Sequence, residues 1–246
     1  MASAPAHLRT IRDFTVQKSD PDAQNEDRSV CMPSAAVVID GASTSIDATG
    51  WVESLEAASR SILLSAPHGE RIAEIERLAR RQYKPPAKSA DPKFAGIETS
   101  QRSSATMSLA VLEQIGGTTS WSFEAVGDVG ILLMRANGEP ILRRPDLSLD
   151  DFDSTPAMIR SEGDFGGSKS TVFTPLRAEW NDRLIMFSDG LGEWITQCAT
   201  IECLGVIENM TEDEFAEFVH DERANRRMPD DDATLFIGRL EQASGT

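Results

Sequence analysis

SSATMSLAVLEQ, at residues 103–114, suits either a helix or a strand by composition, and which of the two it is decides the fold of the chain. Its sequel favours a strand. WSFEAVGD (121–128) and GILLMR (130–135) are short, apolar and bounded by glycine or charge, so the three segments together read as a meander of adjacent strands.

Thr10 to Val16 reads as a first strand, followed by a polar loop, KSDPDAQNEDRS (18–29), that carries Glu26 and Asp27. Ala35 to Ile39 reads as the next strand and delivers Asp40 into a turn that Gly41 accommodates. Trp51, Leu55, Ala58 and Ile62 recur at helical spacing, as do Ile72, Ile75 and Leu78 beyond a break at 67–69, which predicts two amphipathic helices. Residues 82–101 lack periodicity and read as a surface excursion. On the other side, GDFGGSKS (163–170) reads as a loop, and Arg183 to Phe187 as a strand feeding Asp189. Thr211 with Glu214 forms a capping-box pattern ahead of Phe215, Phe218 and Val219, and ATLFIGRL (233–240) is a closing strand. Many strands, with helices gathered in the middle and near the end, predict a β-sandwich covered by helices rather than alternating βαβ units.

With 246 residues, 40% of them hydrophobic, the chain can bury one substantial core, and no proline- or glycine-rich linker divides it, so one domain spanning 1–246 is expected. Forty acidic against 24 basic side chains give a formal charge of −16, which disfavours nucleic acid and anionic membrane surfaces as partners. The opening MASAPAHLRTIRDF lacks a signal-peptide core, and no segment approaches about 18 uninterrupted apolar residues; a cytoplasmic protein is expected. Cys31, Cys198 and Cys203 are odd in number and are not grouped with histidines, which predicts reduced, packed thiols rather than disulfides or a thiolate metal site. His7, His68 and His220 read as surface or helix-end residues, and Trp51, Trp121, Trp180 and Trp194 as core or core-edge aromatics, Trp194 bracing a loop that bears Glu193.

The chemistry lies in the acids. Asp40 follows VVI, Asp189 follows LIMFS and Asp231 just precedes DATLFI, so three strands present carboxylates at their ends. Hard divalent cations such as Mg2+ and Mn2+ take oxygen ligands of this kind, and Gly41 has no side chain to block its carbonyl. Taken singly, an NED loop, a DG turn or a PDDD run is ordinary surface. Their joint order is not.

NED at 25–27, DGAS from Asp40, SSAT from Ser103, VGDVG from Val126, SDGLGE from Ser188 and DDAT from Asp231 follow one another in the order of the metal-dependent serine/threonine phosphatases of the PP2C, or PPM, family. The chain resembles that family from about residue 10 to about residue 240. The resemblance implies an α+β, four-layer α-β-β-α sandwich: two antiparallel sheets packed face to face with helices outside. It implies hydrolysis of phosphoserine and phosphothreonine in proteins at two Mg2+ or Mn2+ ions with a bridging hydroxide. Asp40, Asp189 and Asp231 match the ligands of one ion, and Glu26, Asp40 and the Gly41 carbonyl those of the second. Asp27 matches a residue that orients water. Asp128 and Glu193 match the holders of a looser third ion, with glutamate where aspartate is usual. The implied partner is a phosphoprotein, met by a monomer.

The departures from the family pattern are specific. Asp22 stands where many members carry a phosphate-gripping arginine, whose planar fork an acid cannot replace; Lys18 and Arg28 are the basic residues near it in sequence. The turn after Asp40 reads DGAST, with no histidine to protonate a leaving group, and Asp232 replaces a common asparagine as a residue behind the ligands. The stretch after Gly138, where members carry a substrate-facing flap, is short or rearranged. These changes motivate two alternatives, a pseudophosphatase with a regulatory or scaffolding role and a phosphatase of a small phosphorylated metabolite.

Overall fold

Chain order runs β1 (Ala6–Val16), β2 (Asp27–Met32), β3 (Ala35–Gly41), α1 (Ala48–Ile62), α2 (Arg71–Gln82), β4 (Ser104–Ile115), β5 (Thr118–Val126), β6 (Gly130–Met134) and β7 (Pro140–Arg144). The short strands β8 (Ile159–Arg160), β9 (Thr171–Val172) and β10 (Leu176–Arg177) follow. Then come β11 (Arg183–Phe187), α3 (Asp189–Cys198), α4 (Ile201–Ile207), α5 (Glu212–Ala224) and β12 (Ala233–Gln242). The computed structural model describes residues 6–20, 22–43, 45, 47–85, 103–144, 156–162, 170–198 and 201–242, with the side chains of 193, 196–198 and 201–203 excepted. Most of the 82–101 excursion and of GDFGGSKS lies outside them, as do the side chains of Glu193, Cys198 and Cys203.

The ambiguous segment is strand. β4 pairs with β5 through a two-residue turn, Gly116-Gly117, in which both residues have positive φ (58° and 82°). That is the backbone that matches strand twist in a tight hairpin and that glycine adopts without strain. The meander stops there, however. β6 lies in the other sheet, beside β11, because Gly127 (φ 86°) and Asp128 carry the chain across the sandwich.

Among the described residues one sheet has the order β1-β12-β11-β6-β7 and the other β10-β5-β4-β3-β2, with β8 on β4 and β9 on β5, all antiparallel. The first strand begins at Ala6 rather than Thr10. Its pairing with β12 runs from Ala6↔Gln242 to Val16↔Ala233, with an irregularity between Thr10 and Arg12, and it seats Leu8 in the core.

Side-chain parity sorts these strands into layers. Ala36 and Val38 of β3, Ile131 and Leu133 of β6, Leu184 and Met186 of β11 and Phe236 of β12 meet Trp121 and Phe123 of β5 between the sheets. Val37 and Ile39 point the other way, onto Trp51, Leu55, Ile72 and Ile75 of α1 and α2. Leu132, Ile185, Phe187, Leu235 and Ile237 face Ile195, Phe215 and Val219 of α3 and α5. Strands buried on both faces need no polar alternation, which is why VVI and LIM read as unbroken apolar runs. The expected α-β-β-α sandwich is the observed one.

The helix ends are fixed by side chains. Asp47 accepts the Gly50 amide at 3.1 Å to start α1, and Thr211 and Glu214 form the reciprocal capping box of α5. At α2 the cap comes from another element: Glu124 of β5, fully buried, accepts the amides of Gly69 (2.7 Å) and Ile72 (3.2 Å). Trp51 and Trp121 are core, but Trp180 is 47% exposed, which corrects its core reading: it precedes the turn at Asn181 (φ 65°) that leads into β11. Trp194 braces helix against helix rather than a loop, since 189–198 is α3, and its ring meets Phe218 of α5 edge-on at 5.0 Å. His220 is on α5, His68 is in the turn before α2, and His7 lies within β1. Cys31 is a free thiol, pushed up to about 12 by burial and by Asp13. No described helix is long and apolar enough to cross a membrane.

Truncating Phe236 to alanine would empty the centre of the inter-sheet core. The expected cost is about 3–5 kcal/mol, read as a lower urea midpoint at unchanged slope.

Candidate functional site

The chain reversals at one end of the sandwich bring the acids together. Asp27 at the start of β2 lies directly opposite Asp40 at the end of β3, and Asp40 is opposite Thr106 on β4. The β5–β6 crossover supplies Asp128, and the turn from β11 into α3 supplies Asp189. Asp231 comes from the approach to β12. Asp40, Gly41, Ser43, Thr106, Asp128, Asp189 and Asp231 line one cavity of about 210 Å3, together with Pro156 and Met158.

Two glycines let these turns close. A Cβ on Gly41 would sit 2.8 Å from the Glu26 carbonyl and 2.9 Å from Val52, so a residue without a side chain packs beneath the NED turn. On Gly190 it would overlap the Asp232 carbonyl, so only glycine lets α3 begin against the start of β12.

Burial and mutual repulsion raise the proton affinity of the cluster. Asp40 is pushed well above the usual carboxylate range by burial first, then by Asp27, Asp189, Asp128 and Asp231. Asp189 is pushed up to about 6 by burial and by Asp128 and Asp231, against hydrogen bonds with Asp40 and the Gly190 amide. Asp27, 2% exposed, is pushed up to about 8 chiefly by burial, although the hydroxyls of Ser188 and Thr234 pull it down.

The NED turn is locked from below. Asn25 Oδ1 accepts the Asp27 amide at 2.8 Å while its Nδ2 donates to Thr15 Oγ1 at 2.7 Å, and Thr15 in turn meets Thr234 Oγ1 at 2.9 Å. Asp232, 3% exposed, spends one oxygen on the Lys18 amide (2.8 Å) and the other on the Glu26 amide (2.6 Å). It therefore clips the loop after β1 to the start of β12 and does not line the cavity. Asn25, Ser188 and Thr234 carried a sequence signal, their places in NED, SDGLGE and DDAT; Thr15 carried none until β1 and β12 were paired.

Glu26 is the acid that stands apart. Its Oε2 accepts Lys18 Nζ at 2.9 Å and Ser43 Oγ at 2.8 Å, and it is not among the residues lining the cavity. Burial works to lower the Lys18 ammonium, and the Glu26 carboxylate with Asp232 and Asp231 outweighs it, so the net shift is upward. Asp22 is exposed and is not among the residues lining that cavity. Arg28 turns to the carbonyls of Asn25 and Asp27 and to Glu53.

Among the described residues no three His, Cys, Asp or Glu side chains already form a closed ligand set; the acids ring the cavity. The residues nonetheless suit hard divalent cations. The donors are all oxygen, the charge is uniformly negative, and two buried oxygens at this point, Asp27 Oδ2 and Thr106 Oγ1, have no hydrogen-bond partner.

No protein-family model and no curated protein matches the chain in sequence. Solved structures do match in shape. The photosystem II phosphatase PBCP superposes with a TM-score of 0.65 at 15% identity, covering 97% of this chain and 100% of the other. The catalytic domain of the serine/threonine protein phosphatase PstP, solved with two manganese ions, gives 0.61 at 17% identity over 96% and 99%. The PPM Ser-Thr phosphatase MsPP from Mycobacterium smegmatis, solved with cacodylate, gives 0.59 at 15% over 98% and 100%. With both sheets, both helix layers and the order of the acids accounted for, the chain has the fold of the PPM-type phosphatases over nearly its whole length.

Proposed function

We propose that the chain, acting as one domain, hydrolyses phosphoserine and phosphothreonine in proteins with two Mg2+ or Mn2+ ions bound at the carboxylate cavity. The observation that carries this reading is the convergence of Asp40, Asp128, Asp189 and Asp231, from both sheets, on one opening. Asp40, Asp189 and Asp231 hold one ion; Glu26, Asp40 and the Gly41 carbonyl hold the second, with Asp40 shared. Asp128, together with Glu193, holds a looser third. When bound, such ions acidify water and neutralise charge on a transferring phosphoryl group.

The protein's own part is placement. Asp27 sits behind Asp40, and its unpartnered Oδ2 is the atom that orients water. Ser188 and Thr234 fix its other side. No histidine lines the cavity among the described residues, so the departing hydroxyl takes its proton from water. The cavity, at about 210 Å3, is below the roughly 300–1,000 Å3 usual for enclosing a whole small ligand. It suits a phosphate group whose carrier stays outside, which favours a phosphoprotein over a metabolite.

A second reading, the pseudophosphatase, draws on the ion pair that occupies Glu26 and on Asp22. Turnover separates the two. Purified protein with Mn2+ is expected to hydrolyse phosphopeptides, to stop with chelator and to recover on adding metal. Asp189→Asn should lower kcat by at least the roughly 10–100-fold that loss of an outlying partner of a ligand costs. Unchanged turnover in that variant would defeat the proposal, and a wild-type protein that binds Mn2+ without turnover would favour the pseudophosphatase.

The raised carboxyls also fix a pH dependence. Asp27 and Asp189 ionise at about 8 and about 6 in the folded chain, against an ordinary 3.8. Between those values the folded state holds protons that the unfolded state has released, so these groups' contribution to stability falls as pH rises. A cation binds the ionised forms and offsets that loss. In chelator the melting temperature is therefore expected to fall from about pH 5 to about pH 8, and Mn2+ should raise it more at the alkaline end. Asp27→Asn should flatten the dependence in differential scanning fluorimetry.

A further inference from the structure

Lys18 sits where a second cation would have to act. Its Nζ lies 2.9 Å from Glu26 Oε2, and Ser43 Oγ closes a triangle at 2.8 Å from that oxygen and 3.2 Å from the ammonium. Both partners of the ion pair are largely covered, with side-chain exposures of 19% and 17%, so solvent and salt screen it less than a surface pair. Nor is the lysine a wandering one. Asp232 Oδ1 holds its backbone amide at 2.8 Å and Asp230 Oδ1 holds the next amide, of Ser19, at 2.9 Å, which tethers the ammonium beside the acids at high effective concentration.

The neighbouring guanidinium groups are engaged elsewhere. Arg223 donates to the carbonyls of Val16, Gln17 and Asp231, and Arg28 to those of Asn25 and Asp27. Lys18 is a basic side chain bonded directly to an acid of the site, Glu26.

We propose that Lys18 is a built-in counter-ion for Glu26, which a divalent cation must displace before it can use that carboxylate. The inference rests on the metal-binding reading above and adds to it an order of filling. The position shared by Asp40, Asp189 and Asp231 fills first. The position that needs Glu26 fills second and more weakly, because the incoming cation competes with an ammonium and a hydroxyl for the same oxygen lone pairs and is repelled by the ammonium. Occupancy of the second position is thus set by a residue of this chain that is not itself a ligand.

Calorimetric titration of metal-free protein with Mn2+ tests this without reference to turnover. Lys18→Met keeps the backbone amide that Asp232 holds, and removes only the charge. The weaker of two binding steps is expected to tighten by about tenfold in that variant, with the tighter step unchanged. Lys18→Arg, which keeps the charge, should behave as wild type. In a Glu26→Gln background the Lys18→Met substitution should have no effect, since the competition it relieves is gone. Equal affinities in wild type and Lys18→Met, or weaker binding in the variant, would overturn the counter-ion role while leaving the two-ion reading intact. Absence of Mn2+ binding in every variant would overturn both.

Discussion

Carboxylates of like charge resist being buried side by side, and the rest of this structure is arranged so that they stay there. Asp27, Asp40 and Asp189 each lose solvation and each face another acid, so in the absence of a cation they bind protons far above their ordinary range. A loop could relax away from such repulsion. Strand ends cannot, because Asp27 and Asp40 pair within the β2–β3 ladder and Asp189 follows two residues after the last pair of β11, a strand flanked by β12 and β6.

The stiffness comes from two sheets that share a dry interface and are each backed by helices. Alternation along β3, β6, β11 and β12 sends odd and even side chains to different layers, so a slip of one residue would exchange Val38 for Ile39 and turn Asp40 away from the cavity. Core packing therefore sets the register of the clustered carboxylates. The same logic explains the cost of a side chain at Gly190 or Gly41, where the backbone just ahead of β12 or of β2 comes closer than a Cβ allows.

The acids are also tied across the chain by polar contacts that do no chemistry. Asp232 links the amides of Lys18 and Glu26 to the last strand, and Asn25, Thr15 and Thr234 carry a second link beneath Asp27. Residues more than two hundred positions apart are joined in this way, and the tie converts the pairing of β1 with β12 into a fixed position for the NED turn.

The order of the acids, the apolar runs ahead of Asp40 and Asp189, the helix over 51–62 and the capping box at Thr211 were all legible in the chain itself. Each depends on periodicity or on contacts between near neighbours, which sequence records directly. The layers of the sandwich were legible too, through the motif order. Other features were decided only in three dimensions. That β6 leaves the β4–β5 hairpin for the opposite sheet, that Asp232 serves two amides rather than the cavity, and that Lys18 rather than open space faces Glu26 all depend on which strands lie side by side. Local propensity carries no term for that choice; it is made by the burial of both faces of each sheet at once, and only when it is made do charges far apart in sequence come within reach of one another.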